Sequence, residues 1–240
     1  MSRIESVGVI GAGVIGSGWI ARFLLNGIDV AVYDPSKDAP KNVNKVIQNA
    51  ERAYAQLLTS DLPKRGALTF ENTVSDASKA ADIIIEAVPE RLSEKQSVYD
   101  EIELSTNNNV IIASSTSGIL PSDLQAKMKQ PERLIVAHPF NPVYLLPLVE
   151  IVGGSKTYKE FIERASSIFT DIGMFPLHIK KESPHLLPTD SSNQSGEKLF
   201  GWSMTMSLPP KKLMTLYVLG LAYVGHKWVY SKPIDWQVEN

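Results

Sequence analysis

A histidine with a carboxylate twelve residues downstream is the first pairing in this chain that could do chemistry. His138 follows an apolar run at 134–137, Glu150 lies in the next run at 148–152, and Asn141 sits between them with Pro139 and Pro142. Alone, a histidine at a strand end is more often structural. If its second nitrogen meets a carboxylate, however, the ring is held in one tautomer and its other nitrogen can take a proton from an alcohol. A second polar group opens from Ile111-Ile112-Ala113 into Ser114-Ser115-Thr116-Ser117-Gly118. Ser117 is as readily a helix N-cap as a ligand of substrate oxygen.

The third feature is Val7-Gly8-Val9-Ile10 running into Gly11-Ala12-Gly13-Val14-Ile15-Gly16. The pattern G-x-G-x-x-G after a strand and before a helix suits a dinucleotide. The first glycine makes the tight turn, the second admits a pyrophosphate, the third packs helix on strand, and the helix N-terminus attracts the phosphate charge. Asp34 lies 18 residues beyond Gly16, near the spacing of about 20 for a carboxylate that bonds a ribose 2′-hydroxyl. It could also be a plain Asp-Pro turn residue. No arginine follows it closely, and the nearest cation is Lys37, which favours NAD over NADP.

These residues need a frame that brings strand ends together. Short β-branched runs fall at 4–10, 28–33, 82–88, 110–113, 134–137, 148–152 and 175–179, and amphipathic stretches at 14–26, 39–59, 90–104, 121–128 and 158–172. Strands alternating with helices predict an α/β fold, a Rossmann-type doubly wound parallel sheet covered on both faces. Ligands of such sheets bind at the carboxyl ends of the strands, where His138 and the hydroxyl cluster fall.

Composition narrows the partners. With 24 Lys+Arg against 26 Asp+Glu, there is no basic surplus for nucleic acid or an anionic membrane. The absence of cysteine removes thiolate catalysis and thiolate metal sites, and no metal is expected. The opening residues carry no leader pattern, and the most apolar window, 213–225, is shorter than a membrane span. The expectation is a soluble, cytoplasmic protein acting on a small molecule.

Across residues 4 to about 182 the chain resembles the 3-hydroxyacyl-coenzyme A dehydrogenase family. The resemblance rests on GVIGAGVIGSGWIAR, EAVPERLSEK, IIASSTSGILPS, HPFNPVYLLPLVEIVGG and GMFPLHIKKE. It implies an NAD-dependent oxidation of a 3-hydroxyl group, with His138 as general base, Glu150 orienting it, and Ser117 and Asn141 holding substrate oxygen and nicotinamide. Glu90 and Lys95 match a pair near the cofactor ribose and phosphates, although from spacing alone they could be a solvated pair at a helix start. Ser115 and Gly118 depart from the acyl-CoA type, and Tyr144-Leu145-Leu146 follows the carnitine-oxidising type. The implied substrate is therefore a short hydroxy acid, carnitine foremost. The alternatives are an acyl-CoA substrate, a crystallin-like structural relative, or a crippled NAD-binding fragment. Family members are homodimers.

Two domains follow from this reading: 1–182, the NAD-binding domain, and 183–240, a tail unlike the family's helical dimerisation domain. Joining the third base of each codon in the tail to the first two of the next forces Asp at Met204-Thr205 and at Met214-Thr215. It also forces Gly at Trp228-Val229 and Ala at Trp236-Gln237. The degenerate positions then allow strings such as FIADR and DDVATTEEIDDAIRFG, which resemble that helical domain. The tail is accordingly expected to be a frame-displaced translation. Two outcomes check this. Unbroken resequencing of the gene should show the shift, and a continuous frame would refute it. Calorimetric titration should show weak NAD binding by the 240-residue chain, with negligible turnover, because a nicotinamide face open to water loses near-attack geometry. Turnover comparable to a frame-restored protein would refute that.

Overall fold

Apolar residues that alternate between opposite sides of successive strands call for a sheet covered on both faces. The chain builds one. The structure, a computed structural model, describes residues 4–57 and 62–182, and the frame-displaced reading of 183–240 lies outside them. The elements are β1 (Ser6–Ile10), α1 (Val14–Leu25), β2 (Asp29–Tyr33), α2 (Ala39–Leu57), β3 (Leu68–Phe70), α3 (Val74–Ser78), β4 (Ile83–Glu86) and α4 (Leu92–Ser105). They continue with β5 (Ile111–Ser114), α5 (Pro121–Leu124), β6 (Leu134–Pro139), β7 (Leu148–Gly153), α6 (Lys159–Asp171) and β8 (Phe175–Ile179).

The eight strands form one sheet in the order β3-β2-β1-β4-β5-β6-β7-β8. The chain runs outward from β1 to β3, then crosses back and runs the other way from β4. The carboxyl ends of β1 and β4 therefore flank the point where strand order reverses, the crevice in which open α/β sheets hold ligands. One core joins Val7, Val9, Ile83, Ile85, Ile111 and Ala113 to α1, α2 and α6. The other joins Ile10, Ile84, Ile112 and Val136 to α3, α4 and α5. This two-faced burial is why the strands read as nearly continuous apolar runs.

Three expectations need correction. The sheet is not parallel throughout, because β6 and β7 pair antiparallel. Their connection, residues 140–147, is shorter than the dozen or so residues a parallel crossover needs. The strand β3 and helix α3 were not expected, since three and five residues are too few to show a period; Thr73 caps α3 by accepting from the Asp76 amide. The stretch 121–128 is helical only over Pro121–Leu124, followed by a 3-10 turn. In addition, α4 begins at Leu92, which leaves Glu90 in the loop after β4. Among the described residues no helix is long and apolar enough to cross a membrane.

Candidate active site

The antiparallel register of β6 and β7 sets His138 directly across from Glu150. By alternation with Val136 and Val152, both stand on the face that packs α4 and α5. The imidazole is 4% exposed and the carboxylate 0%, with Nδ1 2.8 Å from Oε2. A proton on Nδ1 suits the buried carboxylate acceptor, and in that tautomer Nε2 carries the lone pair that can accept another. The twelve-residue spacing is thus a strand, a loop and a returning strand. The expected pairing is present.

Asn141 is exposed at the start of the connecting loop, and its peptide bond to Pro142 is cis. Two residues far away in sequence hold this loop. Arg22 of α1 donates from Nε to the Val143 carbonyl and from a terminal nitrogen to the Leu146 carbonyl, each at 3.2 Å. The Tyr54 hydroxyl of α2 donates to the Tyr144 carbonyl. Burial pushes the Tyr54 phenol up, with the Arg22 guanidinium partly opposing it, so Tyr54 stays a neutral donor. Neither residue was singled out in the sequence. Each looks like an ordinary position in an amphipathic helix, and only packing reveals its partner.

Gly11 has φ +93, which L side chains rarely adopt, and its amide reaches the Tyr33 carbonyl at 2.8 Å. A Cβ at Gly16 would collide with the carbonyl oxygen of Gly11, so the helix can start this close to the strand only with glycine there. Asp34, just past β2, accepts from the Ala12 amide at 2.7 Å and from the Ser36 amide at 2.8 Å. It thereby braces the turn, and each of its oxygens keeps a second lone pair for a ribose hydroxyl. The turn is open where a pyrophosphate would lie. A Cβ at Gly13 would meet nothing within 4 Å, Val14 is 71% exposed, and the first turn of α1 has no acidic residue to repel phosphate. Ile15, half-buried, packs against the core. These residues fit a dinucleotide.

Glu90 gathers the loop after β5. One of its oxygens accepts from the Thr116 hydroxyl and from the Ser117 and Gly118 amides, the latter two at 3.1 Å. Burial works to raise the Glu90 carboxyl, but the Thr116 hydroxyl, the Lys95 ammonium and the two amides outweigh it, and the net direction is down. Lys95 is 1% exposed. Its ammonium reaches Glu86 at 2.7 Å, the Val88 carbonyl at 3.3 Å and Glu90 at 3.4 Å. Lys95 and Glu90 are therefore together as expected, but the ammonium lies inside the fold rather than in the open cleft. Ser117 is exposed at the carboxyl end of β5, next to β6 in the sheet. The hydroxyl of its neighbour Ser115 accepts from the Trp19 indole at 3.0 Å.

Residues 6–183 match the family described as 3-hydroxyacyl-CoA dehydrogenase, NAD binding domain. The chain is 55% identical over 183 residues to an L-carnitine dehydrogenase of Mesorhizobium japonicum, covering 76% of this chain and 50% of that protein. It is 50% identical over 179 residues to an L-carnitine dehydrogenase of Oceanobacillus iheyensis, covering 75% and 58%. The chain thus spans little more than half the length of these relatives. Among solved structures it superposes with TM-score 0.72 and 29% identity on 5-formyl-3-hydroxy-2-methylpyridine 4-carboxylic acid 5-dehydrogenase, an NAD+ dependent dismutase, covering 92% of this chain and 72% of that one.

The loop contacts lead to a stability prediction. Arg22→Met leaves one buried and one partly buried carbonyl without their charged donor and should cost about 2–4 kcal/mol, whereas Tyr54→Phe should cost about 1 kcal/mol. Urea unfolding midpoints measure both, and equal costs would refute the ranking. The lowered Glu90 carboxyl fixes a pH sign as well. Its contribution is full above the ordinary carboxylate range and is lost as pH falls through the lower folded-state value. Glu90→Gln should therefore narrow the stability gap between neutral and acid pH, as read by thermal melts along a pH series.

Proposed function

The chain belongs to the 3-hydroxyacyl-CoA dehydrogenase family and carries its NAD-binding domain, and from that premise we propose that it oxidises the 3-hydroxyl of a short hydroxy acid, L-carnitine foremost, to the 3-oxo compound. The observation that carries this reading is the buried His138–Glu150 pair at 2.8 Å, at the strand end beside the serine loop. His138 takes the hydroxyl proton at Nε2, and Glu150 keeps the ring oriented and stabilises the imidazolium that forms. Ser117 and Asn141 orient the substrate oxygen and the nicotinamide. Gly11, Gly13, Val14, Ile15 and Gly16 hold the pyrophosphate side of the cofactor, Asp34 the adenosine ribose, and Glu90 with Lys95 the loop beside it. When bound, NAD supplies the hydride acceptor.

Identity to proteins named L-carnitine dehydrogenase supports the choice of substrate. Tyr144, half-buried in the loop held by Arg22 and Tyr54, is an aromatic side chain suited to a trimethylammonium group. A homodimer in the cytoplasm belongs to the same proposal, as does the reading of 183–240 as a frame-displaced helical domain.

The test is a panel of hydroxy acids assayed for NADH formation in the frame-restored protein. L-carnitine should lead, and coenzyme A should not compete; competition would favour an acyl-CoA substrate. His138→Ala should lower kcat by about a hundred- to ten-thousand-fold while NAD affinity measured by calorimetry changes little. Full turnover in that variant would exclude His138 as the base.

A further inference from the structure

We propose that Glu86, at the end of β4, is a positioning residue that holds the 114–118 segment at both of its ends. Glu86 is 0% exposed and takes part in none of the contacts that define the cofactor turn or the His138–Glu150 pair. A carboxyl group is costly to bury in such a place unless it is paired and hydrogen-bonded, and here each oxygen has two donors. Oε1 accepts from Lys95 Nζ at 2.7 Å and the Val88 amide at 2.9 Å. Oε2 accepts from the Tyr99 hydroxyl at 2.7 Å and the Ser114 hydroxyl at 2.6 Å. Burial first, and the Glu86 charge after it, hold the Tyr99 phenol well above its ordinary range, so Tyr99 remains a donor.

The two oxygens reach the serine loop by different routes. Through Ser114, and through its backbone carbonyl to the Ser115 amide at 2.8 Å, Glu86 grips the start of the segment. Through Lys95 it grips the far end, because the ammonium also meets Glu90, whose other oxygen takes the Thr116 hydroxyl and the Ser117 and Gly118 amides. Lys95 donates to Glu86 and to the Val88 carbonyl and forms an ion pair with Glu90. Lys95 thus acts as a cross-link between two carboxylates, the buried Glu86 and the partly exposed Glu90. The consequence for catalysis rests on the role proposed for Ser117; the clasp itself does not.

The experiment is residue-resolved amide exchange by NMR on the full 240-residue chain, which needs neither substrate nor turnover. In Glu86→Gln and in Lys95→Met, exchange at Ser117 and Gly118 should accelerate by about tenfold or more while Val9 of β1 and Ile85 of β4 hold their rates, the signature of local rather than global opening. The double variant should accelerate the loop no further than the larger single effect, because both substitutions cut one chain of contacts. Tyr99→Phe keeps the carboxylate and Lys95 in place. It should leave the loop within about threefold of the parent even if it lowers overall stability. If Glu86→Gln fails to fold, Lys95→Met carries the test. Loop exchange unchanged in Lys95→Met, or rising in step with Val9 and Ile85, would overturn the proposal and leave Glu86 a structural residue only. Should the loop respond as expected while the carnitine assay fails, the clasp stands and the substrate reading falls.

Discussion

The contact between His138 and Glu150 constrains everything around it. A carboxylate with no exposure is costly to bury unless a partner meets it, and in an antiparallel pair a partner is met only in one register. A slip of one strand by one residue would put the two side chains on opposite faces of the sheet. The loop 140–147, the return of β7 and the crossover through α6 to β8 must all respect that register. The short loop in turn requires β7 to run antiparallel in a sheet whose other strand pairs are parallel.

The cofactor turn and the histidine come from strands separated in the sheet by β4 and β5, yet they are mechanically joined. Helix α1 begins at the glycine turn and, through Arg22, ends its span on the carbonyls of the histidine loop. Its Trp19 packs on Phe23 and Phe169 and reaches Ser115. One rigid helix therefore touches the pyrophosphate turn, the serine loop and the 140–147 loop. A sheet edge built from separate loops depends on such cross-bracing, since loops alone hold reacting groups less well than regular elements. The carboxylates divide this work. Asp34 braces the turn, Glu90 gathers the serine loop, and Glu86 with Lys95 ties that loop to β4.

Much of this was legible before folding was considered. The alternation of apolar runs with amphipathic stretches determined a doubly wound sheet, because strands buried on both faces must be apolar almost throughout. The glycine turn, Asp34 at the next strand end, and His138 and Glu150 on successive runs were all readable from residue type and spacing. They are local features, or follow from the rule that ligands meet strand ends. Tertiary structure alone decided the rest. It showed β3 and α3, too short to carry a period, and the reversal of β7. It also placed the Lys95 ammonium inside the fold and brought Arg22, Tyr54 and Glu86 to loops 28 to 124 residues away. Contacts of that kind depend on how helices dock on a sheet, and no spacing along the chain encodes which buried side chain will meet which distant carbonyl.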